Sequence, residues 1–205
     1  MKRLITFLCV TILVGNPVDV KADQFGEGYD AYGLGNYQKA LEILKPLAEK
    51  GDTRAQHTLG NMYFYGKGVS RDGKEAIKWF RKTADQGNVD VQIFLGFRYY
   101  RGEGIPQDYI EAAKWFRIAA EQGFATAQFH LGLMYTNGQG VLQDNVQAHK
   151  WFNLSASLYH GEARKNAVQN RDIIEKKMKP DQVLKAQKLA REWKPKTWKE
   201  LSQQK

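Results

Sequence analysis

Apolar and polar positions in the middle of the chain recur with a period of 36 residues. Three successive units begin at Asp52, Asn88 and Phe124, and 12 of the 36 columns hold the same residue in all three. Such self-similarity is typical of repeat proteins, in which each unit buries its apolar face against its neighbours. The period therefore predicts repeats over residues 52–87, 88–123 and 124–159.

The first half of each unit has the pattern of a helix that ends at a glycine. In the first unit, Ala55, Leu59 and Tyr63 recur four residues apart, so they share one helix face. Gly60, which lacks a Cβ atom, permits close approach of a neighbouring helix. Gly66 begins a G-x-G loop and is expected to end the helix in a left-handed conformation.

The second half of each unit has the pattern of another helix. It opens with Asp72-x-x-Glu75, the spacing of a capping box, in which each side chain satisfies a free backbone amide of the first turn. Ala76, Phe80 and Ala84 follow at helical spacing and form a packing face. A Trp-Phe pair recurs once per unit, which we interpret as core packing. The predicted fold class is therefore all-α, a solenoid of helix-turn-helix repeats.

The segments on either side of the three units resemble them less. Residues 23–51 imitate the spacing with a shorter connection, so we expect an N-terminal cap. Residues 160–194 lose the period and contain two helical stretches, Gly161–Met178 and Pro180–Trp193, which we expect to form a two-helix C-terminal cap. Residues 195–205 are predicted to be a flexible, frayed tail.

The N-terminus has the pattern of a secretory signal peptide over residues 1–22. A short basic start precedes an apolar run of about twelve residues, which is too short to cross a bilayer comfortably. Cleavage is expected after Ala22, with an uncleaved membrane anchor as the alternative. The single cysteine, Cys9, lies inside this run, so the mature chain would have no disulfide or thiol nucleophile. We expect an exported protein, either periplasmic or secreted.

The units closely resemble Sel-one-like repeats (SLR), which are relatives of the tetratricopeptide repeat. The resemblance rests on the motif A-x-x-x-L-G-x-x-Y…G-x-G…A-x-x-W-F, found in AQHTLGNMYFYGKG with EAIKWF and again in the next two units with few changes. It implies a right-handed α-solenoid whose first helices line a concave groove, and a role in protein binding or scaffolding. The cysteine-rich secreted branch of this family staples each unit with a disulfide, which this mature chain could not do.

By analogy with tetratricopeptide repeats, the groove would be lined by first-helix positions that lie off the Leu-Gly-Tyr face. These positions vary between units, as expected if packing is shared and recognition is specific. The alternative is that they pack against an adjacent unit or the C-terminal cap. An apolar patch of Ile93, Phe97, Phe129 and Leu133 would mark a partner site. The nine candidates are His57, Asn61, Phe64, Ile93, Phe97, Tyr100, Phe129, Leu133 and Thr136.

Composition first suggests nucleic-acid binding, because the formal charge is +9 and the isoelectric point is near 9.5. The distribution of charge argues against it. Residues 23–159 hold 15 basic and 15 acidic side chains, whereas residues 160–205 hold 13 basic and 6 acidic ones. We therefore expect no nucleic-acid partner. Contact of the basic C-terminal cap with an anionic envelope surface is a further, weaker hypothesis.

Catalytic signals are weak. His57, His130, His149 and His160 lack the spacing of metal ligands and have no carboxylate companion at metal spacing, and the G-x-G loops follow no strand. We expect no enzyme, no cofactor and no metal site. The leading hypothesis is an exported, monomeric adaptor that binds a protein or peptide. The alternatives are an envelope enzyme acting on cell-wall or antibiotic substrates and a host-directed secreted factor.

Overall fold

The computed structural model describes residues 20–203, with side chains from residue 24 onward. Within these residues the chain forms eleven helices and no strand. The predicted signal peptide lies outside the described residues for nearly all of its length. The helices are α1 (Val20–Gly33), α2 (Tyr37–Glu49), α3 (Thr53–Tyr65), α4 (Gly73–Ala84), α5 (Val89–Arg101), α6 (Tyr109–Glu121), α7 (Ala125–Asn137), α8 (Asn145–Leu158), α9 (Gly161–Glu175), α10 (Pro180–Glu192) and α11 (Trp198–Ser202).

The helices pack as a linear array of hairpins. The four hairpins are α1–α2, α3–α4, α5–α6 and α7–α8, and each packs on the next through α2–α3, α4–α5 and α6–α7. Helices α9 and α10 both pack against α8, which is the second helix of the last hairpin. This architecture confirms the predicted helical solenoid with its two-helix C-terminal cap. No helix among the described residues is long and apolar enough to cross a membrane.

Local capping agrees with the sequence pattern at both ends of the loops. Gly66, Gly102 and Gly138 end α3, α5 and α7 in the left-handed region, with φ between 67° and 71°. Asp72 caps α4 by accepting hydrogen bonds from the amides of Lys74 and Glu75. The reciprocal half of the predicted capping box is absent there, because the Asp72 amide donates to the carbonyl oxygen of Tyr63 at 2.9 Å, while the Glu75 carboxylate pairs with Lys78. The cap is therefore an aspartate cap.

The second, third and fourth hairpins each close through a contact between a helix glycine and a phenylalanine ring, whereas in the first hairpin Gly28 lies against Leu44. Gly60, Gly96 and Gly132 are fully helical, and a Cβ atom on any of them would lie 2.7–2.8 Å from the ring of Phe80, Phe116 or Phe152 respectively. These rings are fully buried. The missing Cβ therefore sets how closely the two helices of a repeat approach each other.

Successive hairpins are joined by a buried glutamine column. The Nε2 groups of Gln56, Gln92 and Gln128 donate to the carbonyl oxygens of Ala48, Ala84 and Ala120, in the last turn of the preceding second helix, over 3.0–3.2 Å. All three glutamines are buried, at 0–3% exposure. Each of these carbonyls also accepts from the backbone amide of the glycine three residues later, so the glutamine adds a second bond, and the column links every described repeat to the one before it.

Two glutamines of this column also accept a hydrogen bond from a second glutamine at the end of their own repeat. Gln86 donates to Oε1 of Gln56, and Gln122 donates to Oε1 of Gln92, over 2.9 and 2.7 Å. The equivalent donor position in the last repeat is Leu158, and Oε1 of Gln128 is buried without a partner. The glutamine network therefore ends where the cap begins.

The C-terminal segment differs from the predicted flexible tail over residues 195–203. The backbone amide of Lys196 donates to the carbonyl oxygen of Glu121 at 2.8 Å, and the indole of Trp193 donates to the Glu121 carboxylate at 3.3 Å. The ring of Trp198 covers Gly87, where a Cβ atom would lie 2.7 Å from it. The segment therefore runs back along the ends of α6 and α4, and its order comes from contacts some 70 or more residues away in sequence.

We expect Gly96→Ala to destabilise the protein, because the added methyl group meets the buried Phe116 ring. Overpacking costs about 1–3 kcal/mol, and the better helix propensity of alanine returns about 1 kcal/mol. A net loss of up to about 2 kcal/mol should appear in urea unfolding followed by circular dichroism. Gly26→Ala is the matched control, because a Cβ there meets nothing within 4 Å. Equal stabilisation by both changes would show that the ring contact does not limit helix approach.

Candidate functional site

The nine predicted groove residues lie in three rows on α3, α5 and α7. His57 is exposed, Phe64 is buried, and the other seven are half-buried. The neighbouring packing positions Ala55, Leu59, Leu95 and Leu131 are fully buried. The face that carries the nine residues is called the first-helix face below.

The four apolar residues of the predicted patch contribute to the core as well as to the surface. Ile93, Phe97, Phe129 and Leu133 pack against the buried cluster of the last two repeats. The ring of Phe97 lies edge-on to Phe116 at 5.1 Å, and the ring of Phe129 lies 5.6 Å from Phe152. Each therefore contacts the second helix of its own repeat and presents only part of its surface to solvent.

Phe64 is placed differently from the prediction. It is 7% exposed and lies beneath the guanidinium of Arg98, 4.3 Å from the ring centroid, with Phe94 beside it. A partner could not contact its ring without displacing these groups. Phe64 is therefore a packing residue between α3 and α5. Tyr100 and Thr136, which occupy the same repeat position, are half-buried, so repeat position alone does not distinguish the buried residue from the accessible ones.

The two polar members of that column take part in hydrogen bonds. The Tyr100 hydroxyl lies 3.2 Å from Oε1 of Gln139, in the loop of the next repeat. The Thr136 hydroxyl donates to the carbonyl oxygen of Gly132, one turn earlier in α7. Tyr100 thus ties two repeats together at the edge of the first-helix face, while Thr136 is satisfied locally.

A cavity of about 300 Å³ opens at the N-terminal end of this face. It is lined by Phe25 and Tyr29 of α1, by Arg54 and His57 of α3, and by Asn88 before α5, together with two threonines. Phe25 and Tyr29 stack with centroids 5.7 Å apart, and the Arg54 guanidinium lies 4.3 Å from the Phe25 ring. The cavity therefore combines exposed aromatic surface with a cation and a neutral amide.

Of these cavity residues, only His57 was among the predicted site residues. Phe25 and Tyr29 were missed because residues 23–51 were interpreted as a cap, which normally offers no binding surface. Their spacing of four residues, which places both rings on one face of α1, was the signal that could have identified them.

His130 is a half-buried titratable group on α7, packed among aromatic rings. Its ring stacks on Phe116 at 5.3 Å and meets Phe97 edge-on at 4.6 Å. Burial lowers the pKa of His130 to about 4, with a smaller contribution from the positive charge of Arg101. The imidazole is therefore neutral at physiological pH and serves as an aromatic packing group.

The repeats of the chain match the Sel1 repeat model over residues 24–52, 53–88, 89–124 and 125–160. The chain belongs to the Sel1 repeat family. The first match shows that residues 24–52, expected to be a looser cap, are a Sel1 repeat themselves. Sel1 repeats generally mediate protein–protein interaction, and the scaffold is typically non-catalytic.

Two solved Sel1 repeat structures are similar to this chain. One is a Sel1 repeat protein from Oxalobacter formigenes, which is 36% identical, covers 63% of this chain and 97% of its own, and superposes with a TM-score of 0.53. Another is a protective antigen of uropathogenic Escherichia coli with an SLR fold, 29% identical, covering 90% of this chain and 48% of its own, with a TM-score of 0.48.

Curated relatives match over a shorter stretch. An exopolysaccharide production negative regulator of Rhizobium meliloti is 43% identical over 54 residues, which is 26% of this chain and 20% of the relative. The regulator of the same name from Rhizobium leguminosarum bv. viciae is 43% identical over 56 residues, 27% of this chain and 21% of that protein. This chain therefore matches about one fifth of the length of these relatives.

One histidine of the Sel1 array has a carboxylate partner that the sequence did not reveal. Nε2 of His149, which is 1% exposed, lies 2.9 Å from Oε2 of Glu175 on α9. The pairing joins residues 26 positions apart, so the search for local metal spacing missed it. The two side chains line a polar cleft of about 610 Å³ between α8, α9 and α10. No group of three potential metal ligands occurs in the part of the chain that the structure describes.

The lowered pKa of His130 predicts a pH-dependent stability. Between pH 6.5 and 4 the unfolded chain binds a proton at His130 and the folded chain does not, so stability falls as pH falls through this range. The preceding repeat has phenylalanine, Phe94, at the position equivalent to His130. His130→Phe therefore introduces a residue that the repeat already uses there, and it removes the pH dependence of stability that comes from His130.

Urea unfolding of both proteins at pH 7.5 and pH 5 measures the effect. We expect the wild-type protein to lose about 2 kcal/mol more than His130→Phe on going to pH 5. All other titrating groups are common to both proteins. An equal loss of stability in the two proteins would therefore contradict a neutral His130 packed against the aromatic rings.

Proposed function

We propose that this Sel1 repeat protein is an exported adaptor that binds a protein partner or an exposed peptide segment on its first-helix face. The observation that supports it is the contrast between two sets of columns on α3, α5 and α7. The Leu-Gly columns are identical and fully buried, whereas the adjacent columns differ in every repeat and, with the exception of Phe64, retain accessible surface. Packing has thus been kept constant while the accessible surface varies, as recognition of one specific partner requires.

The N-terminal cavity is the part of this face best suited to contact a partner. Tyr29 is 53% exposed, so its ring adds apolar area at little entropic cost on binding. Arg54 and Asn88 beside it supply hydrogen-bond donors. Farther along, Phe97, Phe129 and Leu133 are held rigidly by the core, so they form a preorganised floor and lose little freedom on binding.

Localisation follows from the N-terminal pattern. The basic start and short apolar run of residues 1–22 support export to the periplasm or beyond, with the mature chain beginning at Asp23. The protein acts there as a monomer, and the basic surface of α9 and α10, which includes the exposed Lys176, Lys185 and Lys188, contacts anionic envelope components weakly.

Site-specific photo-crosslinking tests the binding face. A photoreactive phenylalanine analogue at Tyr29 should capture a discrete partner in cells, whereas the same analogue at Leu184, which is 65% exposed on α10, should not. Tyr29→Ala combined with His57→Ala should reduce recovery of that partner in a pull-down by about tenfold or more, because hot-spot aromatics each contribute about 2 kcal/mol.

Lys165→Ala combined with Lys185→Ala, both exposed on the cap, is the matched control and should leave recovery unchanged. A partner captured equally from positions 29 and 184, or lost equally in both double variants, would argue against the first-helix face as the binding site.

Export is tested by fractionating cells that express the full chain and sequencing the N-terminus of the product. We expect a mature form in the envelope fraction that begins at Asp23, because the small residues before it fit a cleavage site. Replacing Leu8 and Val10 in the apolar run with Arg should retain the uncleaved chain in the cytoplasm. A cytoplasmic product that keeps Met1 in the wild-type chain would refute export.

A further inference from the structure

A second groove lies on the opposite, second-helix side of the array, between α4 and the loop that leads into α6. Its volume is about 520 Å³. The floor is apolar and consists of Ile77, Tyr99, Ile105 and Pro106. The rim is cationic and consists of Lys74, Lys78, Arg81 and Lys82, with Asp85 at one end. We call this the α4 groove.

The cations of the α4 groove are only partly neutralised. Lys78 pairs with Glu75 at 3.2 Å, and Arg81 pairs with Glu111 at 2.6 Å. Within the described residues no carboxylate lies in ion-pair distance of Lys74, and the Lys82 ammonium rests on the Trp79 ring, 4.2 Å from its centroid.

Arg81 adds a donor that is unsatisfied. Its Nη2 atom serves both Glu111 and the Tyr99 hydroxyl, yet its Nε is buried with no hydrogen-bond partner in the described part of the chain. Such a buried, unpaired donor costs about 1–3 kcal/mol.

This arrangement is particular to one repeat. The positions of Lys74 and Lys82 are occupied by Ile110 and Ile118 in the next repeat and by Val146 and Leu154 in the last, so α4 alone carries four cations on this face. The array has no net charge, but α4 has four basic residues and one acidic residue. The overall balance therefore conceals a local basic surface.

The next repeat shows what this side of the array accepts. Ile118, at the position of Lys82, shares a cavity with Trp198 and Leu201 of the chain's own C-terminal segment. There Trp198 and Leu201 of the short helix α11 lie across that cavity from the outer surface of α6. A short helical segment therefore lies beside this face of the array, and where the chain supplies the segment itself the column is apolar.

We propose that the α4 groove docks an acidic, amphipathic helical segment of a second partner protein. Its apolar side chains lie on the floor formed by Ile77 and Ile105, and its carboxylates pair with Lys74 and Lys82. An acidic segment complements the cationic rim of the groove, which the chain's own basic C-terminal segment does not. The proposal is independent of the first-helix face, and it would let the adaptor hold two partners on opposite sides.

The probe is a fluorescein-labelled helical peptide of about fourteen residues with leucines on one face and glutamates on the other, followed by fluorescence anisotropy. Saturable binding is expected. Lys74→Glu combined with Lys82→Glu should weaken it by about tenfold or more, because two attractive pairs become repulsive. Lys176→Glu combined with Lys185→Glu has the same net charge and should stay within about twofold of wild type. A peptide with serines in place of leucines should also lose about tenfold.

Four outcomes would overturn the proposal. Equal weakening by both double variants, or equal binding of the serine peptide, would indicate non-specific attraction between charges. Preferential binding of a single-stranded oligonucleotide of the same charge, lost on Lys74→Glu with Lys82→Glu, would assign the groove to nucleic acid. Loss of peptide binding on Tyr29→Ala with His57→Ala would place the peptide on the first-helix face. If the first-helix face captures no partner in cells, the proposed function fails, but the proposal for the α4 groove is unaffected.

Discussion

The contact between a glycine without a Cβ atom and a buried phenylalanine ring is the constraint on which the array depends. It occurs between Gly96 and Phe116, and at the same position of the two adjacent repeats. Because a helix presents one residue of a given face every turn, this one contact sets both the distance between the helices of a hairpin and their register. The leucines next to these glycines are then necessarily buried, and each of these hairpins has nearly the same shape as the next.

Identical hairpins stack only if their polar ends are satisfied, and the buried glutamine column meets that requirement. Gln92 donates to a carbonyl of the repeat before it and accepts from Gln122 at the end of its own repeat. A buried amide that forms both bonds is specific for one stacking geometry, since a shifted neighbour would leave a donor and an acceptor unsatisfied. The unpaired Oε1 of Gln128 marks where this order stops and the cap takes over.

A few invariant columns carry the packing, so the exposed residues of the array can differ from one repeat to the next. The first-helix face carries aromatic and polar residues and ends in the cavity beside Tyr29. The second-helix side is covered by α10 and the C-terminal segment over the last repeats and is open over α4, where its residues are cationic. The proposed adaptor function depends on such differences between faces, because a uniform solenoid would present the same surface everywhere.

Much of this fold follows from local spacing. The period, the glycines at 66, 102 and 138 and the aspartates at 72, 108 and 144 were enough to predict the hairpins, their caps and their order, because helices and caps are formed by residues within a few positions of one another. Eight of the nine predicted site residues retain accessible surface for the same reason: repeat position fixes the face of a helix.

Contacts between distant segments were decided by the tertiary structure alone. The burial of Phe64 beneath Arg98, the pairing of His149 with Glu175 and the docking of Trp198 on Gly87 join residues 26 to 111 positions apart. Of these, only the first lies between adjacent repeats, and none leaves a periodic mark in the chain. A repeat pattern specifies how a unit meets its copy. It contains no information about how a non-repeating end folds back on the array, because that choice depends on shape and charge assembled only after the array has formed.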